Sequence, residues 1–398
     1  MRSVPERRFA QSANWAGVQA GSPGSAPTSH WARQRVKRKK AVSSCDLAIS
    51  DTVLRWLAGA IRDGATPEAM VLRTRFQQVS GALMAKSQED TAFFRFTRCL
   101  AHCEVGNDPG DPAWTSERFG EWLAGRSGRD LALTSSHDTK RAEDARMRLV
   151  AMTHLPEAFA TVLAASDGVP GAAATPPSLR WYIVQSLLAV WEDGRGDIAG
   201  RLALHVEKAL REAREVTHWA FPQPAPESRA EDFARALALD WAAGLPKGAA
   251  ALIERGEALS LAQVALKMVM PGIPDLYQGA EGPLFHLTDP DNREGTDWPR
   301  PLPPGESLAA RKGRLTRALL ALRAARPDAF EGAARVEAGD GAWRLVREGA
   351  SGLITLAIAV PGAPAGAPLP GSVWPKGHGD GGGLAVDWAP ARAARAAE

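Results

Sequence analysis

Three short apolar runs, each followed by polar residues and then by helical spacing, constrain the fold of this chain most. They are GALMA (81–85), LALTS (131–135) and the apolar run of the third strand-to-loop junction, LAQVALKMVMPGIPDLYQGAEGPLFHLTDPDNR (261–293). Short apolar runs bounded by turn residues predict strands, and helices between strands predict a parallel sheet. Polar residues that follow such strands collect at the carboxyl edge of the sheet. Because a full (β/α)8 barrel takes about 250 residues, three junctions predict only part of a TIM barrel.

The first junction places Lys86, Glu89 and Asp90 between a predicted strand and a helix predicted over 92–103. Both acids could instead have only a structural role, because Ser87 and Asp90 form a capping-box pattern. They could also form ion pairs with Lys86 or Arg95.

The second junction sets His137 and Asp138 after a predicted strand and follows them with Lys140 and Arg141. A helix is predicted over 142–152, with two acids in its first turn, where they suit the helix dipole. Asp138 can either cap that helix or face a ligand at the strand ends. Lys140 and Arg141 can be solvated, bind a ligand or hold acidic side chains.

The third junction offers polar residues over a longer stretch, namely Asp275, Tyr277, Gln278, Glu281, Asp289, Asp291, Asn292 and Arg293. Tyr277 could instead pack in the core, and Arg293 could be a structural ion-pair partner. The three junctions are rich in hydrogen-bond donors and acceptors but lack a Gly-rich phosphate loop and a metal-ligand cluster. They predict a carbohydrate ligand, with no cofactor and no metal.

Tryptophan is frequent, with 13 residues against two Tyr, and four of the Trp residues could stack on sugar faces. These four are Trp114, Trp122, Trp219 and Trp298. Core packing is the usual alternative for a single Trp.

Four segments in order resemble maltooligosyltrehalose synthase, of the alpha-amylase superfamily of glycoside hydrolases. They are MAKSQEDTAFFR (84–95), SSHDTKRAEDAR (135–146), KALREAREVTHW (208–219) and PGIPDLYQGAEGPLFHLTDPDNR (271–293). The resemblance weakens through the C-terminal strands and is absent over 1–44. Several long motifs in register argue against chance agreement.

The resemblance implies an isomerase of trehalose biosynthesis, a 1,4-α-D-glucan 1-α-D-glucosylmutase. Such enzymes convert the reducing-end α-1,4 link of a maltodextrin into an α,α-1,1 link. The resemblance also implies a retaining enzyme, as in the rest of the superfamily. Retention of the anomeric configuration requires two carboxylates about 5 Å apart, one as nucleophile and one as acid/base. Asp138 matches the family's third carboxylate, which holds the 2- and 3-hydroxyls of the sugar, and His137 matches the adjacent histidine. The other polar residues of the three junctions would bind neighbouring glucose units.

The family's nucleophile and acid/base have no match in this sequence, because no strand before His137 ends in a Gly-x-Arg-x-Asp pattern or in Glu. We therefore expect the C-terminal portion of such an enzyme, truncated at its N-terminus by a shortened, frame-shifted or split gene. A separately encoded N-terminal barrel fragment would then be its partner, besides the maltooligosaccharide. Alone, the chain is expected to be inactive and poorly soluble. The alternative is a non-catalytic glucan-binding remnant.

Composition adds three expectations. Residues 1–44 hold nine Lys or Arg against one acid, which predicts a disordered basic tail; since interleaved aromatics are lacking, no nucleic-acid partner is expected. The odd number of cysteines (Cys45, Cys99 and Cys103) argues against a disulfide framework and favours a cytoplasmic location. Cys99 and Cys103, with His102 between them, could be half of a metal site, or could lie one turn apart on a buried helix face, since no second ligand pair follows. No apolar run reaches the ~18 residues of a membrane helix, so no membrane partner is expected.

The sequence predicts that the chain has three parts. They are the tail 1–44, the barrel part 45–325 with a helical insertion at about 155–258, and a small antiparallel β-domain over 326–398 with a Pro/Gly-rich end.

Overall fold

The structure is a computed structural model that describes residues 51–296, 301–339, 342–359, 372–374 and 384–390. The basic tail and Trp298 lie outside the described residues. The described residues divide into two compact units, one up to residue 92 and one from residue 93 onwards. Each unit is described by itself.

The described part of the smaller unit is helical. It consists of α1 (Asp51–Asp63), α2 (Pro67–Met84) and a π-helix (Ala85–Ala92). Helix α2 begins with a Thr66 side chain that accepts from the Ala69 amide at 3.2 Å, and with Pro67 in the first turn.

The strand predicted at GALMA is therefore wrong, because these residues continue α2 into the π-helix. Four or five apolar residues carry no period that separates a strand from a helix, and the capping signals of α2 decide the outcome. The helix predicted over 92–103 is also broken. It is reduced to α3 (Phe93–Arg95) and a 3-10 turn (Leu100–His102).

The larger unit contains most of the remaining helices. They are α4 (Ser116–Ala124), α5 (Glu143–His154), α6 (Pro156–Ala165), α7 (Pro177–Val190), α8 (Ile198–Ala213), α9 (Pro224–Ala243), α10 (Ala249–Val269) and α11 (Leu308–Ala325). The prediction of helices over 155–258 is confirmed by α6 to α10. Pro residues open α6, α7 and α9 at the first turn, where the missing amide proton costs nothing.

The helical core forms where α5, α7, α8 and α9 bring their apolar faces together. Leu202 and Val206 of α8 are fully buried, as their one-turn spacing predicts. Trp191 and Trp241 meet edge to face with ring centroids 5.5 Å apart. This core supports the loop that carries His137 and Asp138, because that loop leads directly into α5.

Two short parallel strands, β1 (Leu131–Ala132) and β2 (Ile273–Pro274), pair in the larger unit. The prediction of a strand at LALTS is thus confirmed, but the strand is only two residues long. The side chains of Leu131 and Ile273 are 59% and 50% exposed. Among the described residues these strands pair only with each other, and their carboxyl ends lie on one edge.

The C-terminal strands form an antiparallel five-stranded sheet in the order β3-β4-β5-β7-β6. They are β3 (Ala333–Gly339), β4 (Ala342–Glu348), β5 (Gly352–Ala359), β6 (Ser372–Trp374) and β7 (Leu384–Pro390). The prediction of antiparallel strands here is confirmed. Phe119 of α4 stacks on Trp122 and also meets Trp343 of β4, so Trp122 packs in this core.

The observed architecture is helix-rich, with a small antiparallel sheet and one short parallel pair. Within the described residues, no single helix is both long and apolar enough to cross a membrane. One pair of consecutive helices, Glu143–His154 with Pro156–Gly168, meets the length and composition test together but is bent by 105°.

Candidate functional site

Asp138 and His137 lie on the loop that follows β1, and both side chains are exposed. The Asp138 amide donates to Ser136 Oγ at 3.3 Å, and the His137 carbonyl accepts from Asn292 Nδ2 at 2.7 Å. Helix α5 begins five residues beyond Asp138 and takes its N-cap from Ala142, with no side-chain cap. Asp138 is therefore not the cap of this helix, and its carboxylate faces solvent at the strand ends.

Tyr277 follows β2 and lies near this carboxylate. Burial raises the pKa of the Tyr277 phenol, and the negative charge of Asp138 raises it further. A tyrosine phenol is in any case protonated at neutral pH, because its ordinary pKa is about 10, so Tyr277 can donate a hydrogen bond. The Tyr277 ring also packs against Ala142 and Leu284, as the core-packing alternative for this residue predicts.

Gln278 and Glu281 lie on the turn beyond Tyr277. Gln278 has φ of 38° and Gly279 has φ of 91°, a left-handed pair that reverses the chain. The Ala280 amide closes this turn by donating to the Tyr277 carbonyl at 2.9 Å. Glu281 Oε2 is buried and has no hydrogen-bond partner among the described residues, although the residue as a whole is partly exposed.

Glu104 fixes the loop backbone beside Asp138, and sequence reasoning missed it. Its Oε1 accepts from the Lys140 amide at 2.8 Å and its Oε2 from the Arg141 amide at 3.2 Å. The guanidinium of Arg146 binds Glu104 Oε2 at 3.2 Å and the Arg141 carbonyl at 2.9 Å, and it also donates to the Thr134 carbonyl. Glu104 and Arg146 thus hold both ends of the loop that carries Asp138.

Below this loop lies a buried group of two acids and two lysines. Lys312 Nζ lies 2.7 Å from Glu143 Oε1 and 2.6 Å from Asp144 Oδ2, and Lys267 Nζ lies 3.3 Å from Glu143 Oε2. Burial opposes the charge on Glu143, but the positive charges of the two lysines outweigh it and hold the pKa of Glu143 far below its usual value. Burial likewise opposes the charge on Lys312, and the two acids leave its pKa raised.

This buried group connects the site to three helices. Asp144 accepts from the Leu284 amide at 2.7 Å, and Lys312 donates to the Gly282 carbonyl at 2.9 Å. The loop after β2 is therefore tied to α5 and α11, while Lys267 adds α10.

Lys140 and Arg141 are both buried. The Arg141 guanidinium donates to the Leu100 carbonyl at 3.4 Å and to the Tyr182 hydroxyl at 3.5 Å. These contacts direct Arg141 into the helical core, and the loop backbone at Lys140 is held by Glu104. Of the four residues at this junction, only His137 and Asp138 have exposed side chains.

Asp291, Asn292 and Arg293 lie on the segment after the β2 loop. The Arg201 guanidinium binds Asp291 at 2.8 and 3.0 Å, and the Leu287 amide donates to Asp291 at 2.7 Å. Burial opposes the charge on Asp291, but the Arg201 hydrogen bond and charge outweigh it and lower the pKa.

The Asp291 carboxylate is thus occupied by structural contacts. Arg293 forms an ion pair with Asp289, the structural alternative considered for it. These residues and α8 border an open cleft of about 420 Å³. It is lined by Asp197, Arg201, Leu204, His205, Lys208, Thr288, Asp289, Pro290, Asp291, Arg293 and Glu294.

Lys86, Glu89 and Asp90 belong to the smaller unit, within the π-helix. The ion pair between Lys86 Nζ and Asp90 Oδ2 measures 2.6 Å, and the predicted strand-to-helix junction around them is absent. The structure therefore describes these three side chains only within their own unit.

Cys99 and Cys103 are buried free thiols on either side of the 3-10 turn. Burial raises the pKa of Cys103 to about 12, so this thiol is a poor metal ligand. Within the described parts of the chain, no group of three or more His, Cys, Asp or Glu could hold a metal ion.

Comparison with known proteins gives a consistent result. No family model matches the sequence. Two proteins from Mycobacterium tuberculosis strains, each named as a maltooligosyl trehalose synthase, are 32% identical over 287 residues, which is 71% of this chain and 37% of each relative.

Solved structures extend the comparison to the fold. The maltooligosyl trehalose synthase of Sulfolobus tokodaii superposes with a TM-score of 0.67 at 26% identity, over 77% of this chain and 45% of that one. The enzyme from Arthrobacter ramosus gives 0.66 at 27% identity, over 82% and 44%.

These neighbours have an alpha-amylase-like fold, and the helix-rich architecture of this chain superposes on part of it. Within that fold class the chain is homologous to part of the maltooligosyl trehalose synthases, which confirms the resemblance found in the sequence. The chain spans less than half the length of the relatives it matches.

Proposed function

We propose that this chain supplies the sugar-holding part of a maltooligosyltrehalose synthase active site. One observation carries the proposal: the Asp138 carboxylate is exposed where β1 ends, within electrostatic range of the Tyr277 phenol at the end of β2. An exposed anion beside a half-buried hydroxyl donor suits the hydroxyls of a neutral sugar. His137 is exposed beside Asp138 and can orient the same ring.

Asp138 would act by differential binding. When a glycosyl bond breaks, the pyranose ring flattens and gains positive charge. A fixed carboxylate that binds the 2- and 3-hydroxyls attracts this ring more strongly than the ground-state sugar, so it lowers the barrier. Glu104 and Arg146 serve as positioning residues, because they hold the loop rather than the substrate.

The reaction that we propose is isomerisation of the reducing-end α-1,4 link of a maltooligosaccharide to an α,α-1,1 link. This is the reaction of a 1,4-α-D-glucan 1-α-D-glucosylmutase, and we propose that it takes place in the cytoplasm. Its nucleophile and acid/base would come from polypeptide beyond these 398 residues, either in the same protein or in a separate N-terminal barrel fragment. The parallel pair of β1 and β2 would be part of a TIM barrel completed by that polypeptide. The exposed Leu131 and Ile273 side chains support this view.

Substituting Asp138→Asn tests the proposal, because it keeps the side-chain shape and removes the charge. The purified chain is titrated with maltopentaose by calorimetry, and loss of reducing ends is followed to detect trehalose-terminated product. Asp193→Asn, an equivalent change on an exposed loop, is the matched control. A hydrogen bond to a charged group contributes about 1.5–3 kcal/mol, so we expect D138N to weaken binding roughly tenfold or more.

We expect the chain alone to bind the sugar without turnover. Equal binding by D138N and the unsubstituted chain would contradict the role of Asp138. Turnover by the chain alone would contradict the proposal that other polypeptide supplies the two reacting carboxylates. Binding that is never converted to turnover, even after the missing barrel part is added, would support the alternative of a non-catalytic glucan-binding remnant.

A further inference from the structure

Two large aromatic side chains are exposed together on the loop after α8. Trp219 is 53% exposed and Phe221 is 69% exposed, although Trp122 and Trp241 pack in the cores. The loop is a tight hairpin, because His218 and Phe221 form a β-bridge and the Phe221 amide donates to the His218 carbonyl at 3.0 Å. The hairpin therefore presents both rings to solvent.

The Trp219 indole is held in one orientation. Its Nε1 donates to Glu212 Oε1 at 3.0 Å, and the Arg211 guanidinium lies 4.9 Å from the ring centroid. These contacts take the indole N–H and cover one face of the ring. The exposure that remains is mainly that of the opposite face.

The buried carboxylate of Glu227 holds Arg211 and the start of the hairpin in place. Glu227, which is 4% exposed, accepts from Arg211 at 3.0 and 2.8 Å and from the Thr217 hydroxyl at 2.5 Å. Thr217 Oγ1 in turn accepts from the Gln223 amide at 2.9 Å, which fixes the far end of the hairpin. The loop is thus fixed at both ends, while Trp219 keeps one open face and Phe221, which the His218 ring meets edge to face at 4.8 Å, stays largely exposed. Their exposure is therefore not the result of a loose segment.

We propose that these two rings, here called the Trp219 platform, bind an α-1,4-glucan chain at a site separate from Asp138. The flat apolar face of a pyranose can stack on the open indole face, while Arg211, Glu212 and His218 at the rim can bind its hydroxyls. The choice of glucan over other sugars rests on the proposed function.

Size favours a sugar over a protein at this platform. A Trp and a Phe bury about 150–250 Å² each, so even full coverage of both approaches only half of the ~800 Å² that each partner buries in a standard protein interface. An area of this size matches one or two glucose units. The rim carries both charge signs, which suits a neutral ligand.

The test uses the full chain and measures maltoheptaose binding by calorimetry, together with retardation in gels containing soluble starch. Trp219→Ala removes the stacking face, and Trp219→Phe keeps part of it. Leu239→Ala, which removes an equally exposed apolar side chain from α9, is the matched control. Circular dichroism confirms that each variant is folded.

We expect W219A to weaken starch retardation about tenfold, as for removal of a central aromatic anchor, and to lower the stoichiometry of maltoheptaose binding because the Asp138 site still binds. W219F should be intermediate and L239A unchanged. D138N should leave starch retardation through the platform largely intact, which separates this proposal from the function proposed for Asp138. Unchanged glucan binding by W219A would overturn the platform. So would a loss of self-association in W219A, measured by sedimentation, without any change in glucan binding.

Discussion

At the scale of single residues, the candidate site depends on buried side chains that hold the loop backbone in place. Asp138 can be exposed and still precisely placed because Glu104 and Arg146 fix the main chain on either side of it. The Glu104 carboxylate accepts from three backbone amides, those of Val105, Lys140 and Arg141, and from the Arg146 guanidinium. Such charge-assisted bonds are about twice as strong as neutral ones. Removing the Glu104 charge should therefore loosen the loop as a whole.

We predict that Glu104→Gln lowers the free energy of unfolding by about 2–3 kcal/mol, because hydrogen bonds to a charged group each contribute about 1.5–3 kcal/mol and the new amide N–H₂ would face other donors. Urea denaturation followed by circular dichroism measures the change. Glu121→Gln, on the exposed face of α4, is the control and should change stability by less than about 0.5 kcal/mol. A Glu104→Gln protein as stable as the control would show that the Glu104 carboxylate does not hold the loop.

At the scale of elements, the buried acids and lysines join α5, α10 and α11 beneath the site. Each charge is compensated by a partner, which is how such groups tolerate burial. Removal of one partner leaves an unpaired buried charge, whereas removal of an opposite pair does not. This difference makes the contribution of the network measurable.

We predict that Lys312→Met destabilises the fold by about 3–5 kcal/mol, because Glu143 and Asp144 would keep only one lysine between them. Adding Asp144→Asn should restore a substantial part of that loss, since the remaining Glu143 and Lys267 again balance and the asparagine oxygen can still accept from the Leu284 amide. Thermal and urea denaturation of the single and double variants measure both effects. An additive, still larger loss in the double variant would contradict the prediction.

We also predict a pH effect from the same group. The folded pKa of Glu143 lies below its unfolded value of about 4.3, so its contribution to stability is complete above that pH and is lost as the pH falls towards the lower, folded pKa. Lys312 has a raised folded pKa, so its contribution is lost only at alkaline pH, as the pH rises above the unfolded value towards the folded one.

The free energy of unfolding, measured by urea denaturation between pH 3 and pH 7, should therefore fall on the acid side. Its dependence should be steeper in the unsubstituted chain than in a variant with Glu143→Gln. Parallel curves for the two proteins would contradict this assignment.

At the scale of the whole molecule, the short parallel pair is exposed. Apolar side chains at the edge of a small sheet favour association with other chains. Leu131 and Ile273 lie opposite each other across β1 and β2, so their exposed surfaces form one patch.

We predict that the purified chain binds the dye ANS and self-associates through this patch. The double substitution Leu131→Glu and Ile273→Glu should lower dye fluorescence and raise the soluble fraction, because it places charge on the exposed edge. A control with Leu239→Glu and Leu245→Glu, two exposed positions elsewhere, should have the smaller effect. If both double variants behave alike, general surface charge and not this edge governs solubility.

Much of the architecture was predictable where the sequence signal is periodic. The helices within 155–258 and the antiparallel C-terminal strands follow from apolar spacing, and β1 follows from its position before a polar cluster. The strand prediction for GALMA was wrong because a short apolar run has no period. The capping of α2 by Thr66 and Pro67 decided the structure of this run. The barrel itself and the domain boundaries stay predictions.

The sequence by itself indicated the resemblance to maltooligosyltrehalose synthases and the residues to test, because SSHDTKRAEDAR and its companion segments are linear patterns. Only the tertiary structure decided which of those residues face solvent. It left the His137 and Asp138 side chains exposed but directed Arg141 into the core and Asp291 onto Arg201. It also showed Glu104 beside Lys140, 36 positions away. The physical reason is that burial and long-range hydrogen bonds depend on which elements pack together, and spacing along a chain does not record that.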